Sequence, residues 1–171
     1  MGKEIERKFL VESTAFVQEA PNTATDCTNC KRYHQGYIPT LNGMTVRIRI
    51  AGDKGYVTLK DHAVGFTRHE FEYEIPVDDA RQMLGLMCEG PQIEKVRYVI
   101  PASQHEGDFS AGLKWEVDVF RGDNEGLIVA EIEVPSEDTE FDRPSWLGNE
   151  VTGDKRYYNS HLCRHPYKEW K

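Results

Sequence analysis

Pairs of like charges separated by one residue recur along this sequence, and they are the residues best suited to chemistry. The pairs are Glu4/Glu6, Arg47/Arg49, Glu70/Glu72, Lys95/Arg97, Glu116/Asp118 and Glu131/Glu133. Neighbouring like charges repel each other, so each pair requires an opposite charge or a ligand close by. Cations suit the oxygens of a polyanion, and clustered carboxylates suit a hard divalent cation such as Mg²⁺ or Mn²⁺. The pattern therefore indicates a phosphate chain that carries a divalent metal ion.

Strands with two chemically different faces are the elements that must position these charges. Charged and apolar residues alternate in seven segments, which predicts strands at residues 3–11, 45–50, 56–60, 69–75, 92–100, 114–120 and 127–134. Residues 52–55 predict a hairpin turn between two of them. If about eight strands close into a barrel, the charged residues of every strand face one lumen. The sequence thus predicts an α+β fold, an eight-stranded antiparallel β-barrel with flanking helices over its apolar outer face.

Helical periodicity is limited to a few segments. Residues 77–88 follow Pro76, begin with two aspartates and carry apolar residues at helical spacing, which predicts a helix. We also expect short helices at 13–19 and 136–142, and a closing helix at 154–163. The 171 residues contain no internal repeat and no linker. They predict a single domain over residues 1–171, with a loop insertion at 21–32.

Composition excludes several classes of protein. Lys and Arg total 21 and Asp and Glu total 29, which gives a net charge of −8. Proteins that coat nucleic acid or bind membrane surfaces need a basic excess, so we expect neither partner. No apolar run is long enough to span a membrane, and the first residues lack the apolar region of a signal peptide. We therefore expect a cytoplasmic protein, either monomeric or homodimeric.

The C-x-x-C formed by Cys27 and Cys30 is the one motif outside this pattern. Its spacing is compatible with half of a zinc site or with a redox pair. A zinc site needs two further ligands, and no second C-x-x-C or paired histidine motif supplies them. We therefore interpret both cysteines as thiols in a surface loop.

The charged motifs resemble those of the CYTH, or triphosphate tunnel metalloenzyme, superfamily. Glu4, Glu6 and Lys8 match its Glu-x-Glu-x-Lys signature. Further motifs follow in the family's order over nearly the whole chain: His34-Gln35-Gly36-Tyr37, Arg47-x-Arg49, Thr58-Leu59-Lys60, Arg68-x-Glu70-x-Glu72, Glu94-Lys95-x-Arg97-Tyr98, Glu116–Phe120, Glu131-x-Glu133 and Val151–Tyr157. The resemblance implies an eight-stranded antiparallel tunnel that binds triphosphates and a divalent metal.

The resemblance also implies roles for individual residues. The expected metal ligands are Glu4, Glu6, Asp118, Glu131 and Glu133, which would bind Mg²⁺ or Mn²⁺. The expected substrate-binding residues are Lys8, Arg47, Arg49, Lys60, Arg68, Lys95, Arg97, Lys155 and Arg156. The expected catalytic residues are Glu4, Glu6, Lys8, Asp118 and Lys155. A tunnel carboxylate is the natural base that activates water, and the sequence leaves open which one it is.

The reaction that the resemblance implies is metal-dependent hydrolysis of inorganic tripolyphosphate, and of nucleoside triphosphates, with release of orthophosphate. A class IV-type adenylate cyclase, which makes cyclic AMP and pyrophosphate, is the first alternative. We favour the hydrolase because no segment is built to read a purine and because the opening residues resemble compact bacterial tripolyphosphatases. A non-catalytic module that binds polyphosphate or nucleotides is the second alternative. An anion-binding module would gain little from so many carboxylates.

Overall fold

The computed structural model describes residues 5–19, 30–41, 43–61, 69–103 and 112–170. Within these residues the chain forms nine strands: β1 (Ile5–Val11), β2 (Cys30–Ile38), β3 (Thr45–Ala51), β4 (Lys54–Lys60), β5 (Glu70–Ile75), β6 (Ile93–Pro101), β7 (Lys114–Arg121), β8 (Ile128–Val134) and β9 (Leu147–Glu150). Their hydrogen-bonded order is β5-β4-β3-β2-β6-β7-β8-β1-β9. β1 pairs antiparallel with β8 and β9, β3 with β2 and β4, β5 with β4, and β7 with β8. The prediction of an antiparallel α+β fold is confirmed.

Seven of these strands coincide closely with the seven predicted segments, and the other two, β2 and β9, are not among those segments. β2 begins at Cys30, so residues 30–32 belong to a strand and not to the loop predicted at 21–32. β9 was not predicted because its four residues, Leu-Gly-Asn-Glu, show no alternation. Residues 21–29 of the predicted insertion, with Cys27, lie outside the described residues, as do Glu4 and Arg68.

Three α-helices occur in the described part of the chain: α1 (Phe16–Glu19), α2 (Val77–Leu86) and α3 (Asn159–Leu162). The α2 prediction is confirmed, and Asp78 and Asp79 lie in its first turn. The closing helix predicted at 154–163 is instead a 3₁₀ turn followed by α3, because Tyr158 has an extended backbone between them. None of these helices is long and apolar enough to cross a membrane.

The helix predicted at residues 136–142 is absent from that segment, all of which the structure describes. The Thr139 hydroxyl accepts a hydrogen bond from the Ser136 backbone N–H at 3.1 Å, and it lies 2.9 Å from the Ser136 hydroxyl. Such local side-chain bonds offer the backbone an alternative to helical hydrogen bonding. The segment forms a turn for this reason.

The chain divides into two compact units, each with its own core. Unit 1 comprises residues 1–31, 96–119 and 126–157, and unit 2 comprises residues 32–95, 120–125 and 158–171. The core of unit 1 is rich in aromatic rings, and Phe9 and Trp115 meet edge to face with centroids 5.6 Å apart.

In unit 2, α2 packs on β3 and β4 through Ala80, Leu84 and Ile48. Gly55 permits this close approach, because a Cβ atom there would lie 2.9 Å from the Cβ of Ala80. The helix thereby covers the apolar face of β3 and β4 and leaves their charged residues on the other face.

Candidate active site

Unit 1 carries a cluster of charged residues on the strand faces opposite its aromatic core. This acidic cluster consists of five carboxylates and two cations: Glu6, Glu116, Asp118, Glu131, Glu133, Lys8 and Arg97. Strand pairing brings these residues together, because Glu6 lies directly opposite Glu133. Glu131 lies opposite Lys8 on one side and opposite Glu116 on the other. The apolar residues that alternate with them, such as Ile132, are buried in the core.

Two cations hold the acidic cluster together. The Lys8 Nζ atom lies 3.0 Å from Glu131 and 3.8 Å from Glu6. Arg97 donates hydrogen bonds to both oxygens of Asp118, at 2.7 and 2.8 Å, and to Glu116 at 2.6 Å. Although burial opposes the charged form of Arg97, the hydrogen bonds to Asp118 and the surrounding carboxylates raise its pKa. Asp118 is only 2% exposed, so this two-pronged pair is a fixed part of the cluster.

The remaining carboxylates are suited to a divalent cation. Glu6, Glu116, Glu131 and Glu133 line a cavity of about 240 Å³. Partial burial and the charge of Glu131 raise the pKa of Glu6 to about 7. The Glu6 side chain is still 53% exposed to solvent. A bound cation would relieve the repulsion between Glu6 and Glu131 that contributes to the raised pKa.

Hard oxygen ligands of this kind are those that Mg²⁺ and Mn²⁺ prefer. Among the described residues, no three such groups already surround one point as a bound ion requires. The type of donor, carboxylate oxygen, nevertheless fits a divalent ion. Glu4, the further predicted ligand, lies outside the described residues.

Unit 2 carries a cluster of cations. This basic cluster consists of Arg47, Arg49, Lys60 and Lys95, on β3, β4 and β6. Strand register again determines the neighbours: Lys60 lies opposite Glu70. Thr58 lies between Arg47 and Glu72 on adjacent strands.

Uncharged residues orient two of these cations. Arg49 donates from Nε to the buried Gln35 amide oxygen at 3.0 Å, and its guanidinium lies 5.3 Å from the centre of the Tyr33 ring. Lys95 is 2% exposed, and its Nζ atom lies 5.7 Å from the Tyr33 ring and 5.6 Å from that of Phe120. Cation–π contacts of this kind stabilise a desolvated charge by about 2 kcal/mol. Gln35 belongs to a motif that carried the family resemblance, but it is uncharged and was therefore not predicted to be a site residue.

Arg47 is the cation whose hydrogen bonding is incomplete. Its Nη2 atom donates to the Thr58 hydroxyl at 3.0 Å and to Glu72 at 3.1 Å. Its Nε atom is buried and has no hydrogen-bond partner among the described residues. A buried donor without a partner costs about 1–3 kcal/mol. An anion oxygen would remove that cost.

Two other predicted site residues, Lys155 and Arg156, belong to unit 1. Lys155 and Arg156 are exposed on the 3₁₀ turn, and Arg156 pairs with Asp154 at 2.6 Å. Their predicted roles in substrate binding, and that of Lys155 in catalysis, stay predictions. The same holds for Glu4 and Arg68, outside the described residues, and for the prediction that all charged faces share one lumen.

Comparison with known proteins identifies the family of this chain. The CYTH domain family model matches residues 2–159. An inorganic triphosphatase of Acetivibrio thermocellus is 47% identical over 171 residues, which cover 100% of this chain and 99% of that protein. An inorganic triphosphatase of Nitrosomonas europaea is 36% identical over 163 residues, 94% of this chain and 96% of that protein. The crystal structure of an inorganic triphosphatase matches with a TM-score of 0.67 and 34% identity over 95% of each chain. This chain therefore belongs to the CYTH domain family.

Proposed function

We propose that this protein is a metal-dependent triphosphatase that hydrolyses inorganic tripolyphosphate and releases orthophosphate. The observation that carries the proposal is the separation of charge between the two clusters. Five carboxylates outnumber two cations in the acidic cluster, and four cations outnumber the two carboxylates, Glu70 and Glu72, that contact them in the basic cluster. Carboxylates suit a divalent cation and cations suit phosphate oxygens, and a phosphate chain with a divalent cation presents both kinds of group. The similarity to proteins named inorganic triphosphatase supports the same reaction.

The basic cluster binds the phosphate oxygens. Charge-assisted hydrogen bonds contribute roughly 1.5–3 kcal/mol each, so four cations supply most of the affinity for a bare triphosphate. The buried Nε of Arg47 is a donor that the substrate satisfies. Contacts with Tyr33 and Gln35 hold Lys95 and Arg49 in fixed orientations before the substrate binds. This preorganisation favours binding because fewer side chains are ordered on association.

The acidic cluster holds the metal. Glu6, Glu131 and Glu133 are the proposed ligands of Mg²⁺ or Mn²⁺, with Glu4 as a fourth. When bound, a divalent cation neutralises charge on the phosphate chain and polarises the scissile phosphorus. Lys8 holds Glu131 in place through its 3.0 Å ion pair.

One set of assays tests the reaction. Purified protein is incubated with tripolyphosphate, ATP or thiamine triphosphate, each with Mg²⁺, Mn²⁺ or EDTA, and the products are separated. We expect orthophosphate from tripolyphosphate only when metal is present, with kcat/KM at least about tenfold above that for ATP, or ~1.4 kcal/mol. Cyclic AMP and pyrophosphate from ATP would establish the cyclase instead. Tight binding without any turnover would establish the non-catalytic module.

A further inference from the structure

Two carboxylates of β5 lie within the basic cluster, and triphosphate hydrolysis alone assigns them no role. Glu70 Oε2 lies 2.7 Å from Lys60 Nζ, and its Oε1 lies 3.9 Å from Arg47 Nη2. Glu72 Oε2 lies 3.1 Å from the same nitrogen and accepts a hydrogen bond from Thr58 at 2.8 Å. Two protein anions therefore already contact cations that are assigned to phosphate oxygens.

These contacts follow from strand register. Lys60 and Thr58 on β4 lie directly opposite Glu70 and Glu72 on β5. The Thr58 side chain is fully buried and joins Arg47 to Glu72, so the position of this carboxylate is determined by the sheet. Desolvation opposes ionisation of Glu70, but Lys60 and the nearby arginines outweigh it and lower its pKa. Glu70 and Glu72 thus form a fixed pair of counter-anions in this cluster.

Counter-anions at a binding site discriminate between ligands by charge. The repulsion between a site carboxylate and a ligand is proportional to the ligand's charge. A metal-free triphosphate carries two more negative charges than its complex with one divalent cation, so the same carboxylates repel it more strongly. The side chains of Glu70 and Glu72 are 44% and 41% exposed, which moderates this repulsion without abolishing it.

We propose that Glu70 and Glu72 are specificity-determining residues, which shift the preference of the basic cluster away from the metal-free polyanion and toward a triphosphate that carries its divalent cation. This inference rests on the proposed function, because it takes a triphosphate as the ligand of the basic cluster. It adds a selection step before chemistry, since the carboxylates weaken the binding of the metal-free form, which cannot be turned over.

The test measures binding without turnover. Bis(methylene)triphosphate, whose bridging carbons resist hydrolysis, is titrated calorimetrically into the protein in EDTA and in Mg²⁺. The double variant Glu70→Gln/Glu72→Gln keeps the acceptor oxygens and removes both charges. We expect the Kd of the metal-free probe to fall at least about tenfold, and that of its Mg²⁺ complex to fall about threefold or less. The ratio of the metal-free Kd to the Kd of the Mg²⁺ complex is therefore expected to be lower in the double variant than in the wild type.

Glu74→Gln is the matched control. Glu74 is on the same strand two residues further on, and it pairs with Lys54 at 3.0 Å outside the basic cluster. We expect both Kd values of this variant to stay within about twofold of wild type, since the interaction between exposed charges is screened. If the double variant fails to fold, the single variants Glu70→Gln and Glu72→Gln replace it, each with about a threefold effect.

Two results would overturn the inference. One is a ratio of the two Kd values that is the same in the double variant as in the wild type. The other is weaker binding of the Mg²⁺ complex by the double variant, which would show that the carboxylates attract the bound cation. The turnover assay on wild-type protein is independent of both. Hydrolysis of tripolyphosphate with an unchanged ratio refutes only the selection step, whereas a shifted ratio without hydrolysis refutes only the triphosphatase.

Discussion

The acidic and basic clusters differ in how their opposite charges are paired. In the acidic cluster, Arg97 is clamped by both oxygens of Asp118, and that carboxylate is almost completely buried. In the basic cluster, the counter-anions Glu70 and Glu72 are more than 40% exposed. A buried pair is costly to break, whereas a pair with a partly exposed carboxylate contributes less to stability. The acidic cluster is therefore built around a buried ion pair, and the basic cluster holds counter-anions that remain accessible to solvent and to a ligand.

The largest expected effect is the loss of a proposed metal ligand from the acidic cluster. Glu133→Gln removes a charge opposite Glu6 and leaves the strand unchanged. A bound metal supplies several kcal/mol of charge stabilisation. We therefore expect kcat/KM for tripolyphosphate to fall at least about 1000-fold, or ~4 kcal/mol. Steady-state kinetics over a range of Mg²⁺ concentrations measures this loss.

Glu131→Gln is expected to be as severe, because it also removes the partner of Lys8. Glu137→Gln, in the turn after β8, is the control and should retain wild-type kinetics. Full activity in Glu133→Gln and Glu131→Gln, with unchanged metal dependence, would remove both residues from the metal site.

The second prediction compares the stability of the two clusters. Asp118→Asn leaves the buried guanidinium of Arg97 with a weaker, neutral partner, and we expect a loss of about 3 kcal/mol in the free energy of unfolding. Glu72→Gln in the basic cluster is expected to cost less than about 1 kcal/mol, because the Glu72 side chain is 41% exposed. Urea unfolding of both variants measures the difference. Equal losses would show that the two clusters do not differ in this way.

Alternation in the sequence was sufficient to predict most of the sheet. Charged and apolar residues alternate in β1, β3 and β8, and the structure places their apolar residues in the cores. β9 could not be predicted in this way, because its only support is tertiary pairing with β1 and a bulge interrupts that pairing. The prediction of a helix at 136–142 was wrong, because the Thr139 side chain accepts a hydrogen bond from the Ser136 backbone N–H in place of a helical bond.

The charged faces of the site could also be predicted, but the partners of individual residues could not. Period-two alternation places Arg97 and Glu131 on a charged face, yet only the side-chain contacts in the structure show that Arg97 is paired with both oxygens of Asp118. The prediction that Arg97 binds phosphate stays a prediction. In the structure its guanidinium donates hydrogen bonds to Asp118 and Glu116. Tyr33 and Thr58 were missed as site residues because uncharged side chains acquire a role only through the cations beside them.

The third prediction separates binding from chemistry. Lys60→Gln removes one cation of the basic cluster, and we expect KM for tripolyphosphate to rise about tenfold, ~1.4 kcal/mol, with kcat within about threefold. Lys54→Gln removes a lysine of the same strand whose partner, Glu74, lies outside the cluster, and its kinetics should be unchanged. A fall in kcat at constant KM would instead place Lys60 in the chemical step.

The smallest expected effect concerns a charged pair on the apolar side of β1, between the cluster residues Glu6 and Lys8. Arg7 donates two hydrogen bonds to Glu150, at 2.8 and 2.7 Å, and these bonds lower the pKa of Glu150 from 4.5 to about 2. A carboxylate with a depressed pKa stabilises the fold fully above its unfolded pKa. This stabilisation is lost as the pH falls from about 4.5 to 2. The Glu150 side chain is 29% exposed, so the expected contribution is only about 1 kcal/mol.

Urea unfolding of wild type and Glu150→Gln between pH 7 and pH 2 measures this contribution. We expect the variant to be less stable by about 1 kcal/mol at pH 6 and the difference to shrink steadily below pH 4.5, because protonation then removes the same charge from the wild type. Turnover should stay within about twofold of wild type, since the Arg7–Glu150 pair lies on the opposite face of β1 from the acidic cluster. A difference in stability that is constant over this pH range would mean that Glu150 stabilises unit 1 by packing rather than by charge. A large loss of turnover would mean that the two faces of β1 are coupled, and the acidic cluster would then extend beyond the residues assigned to it.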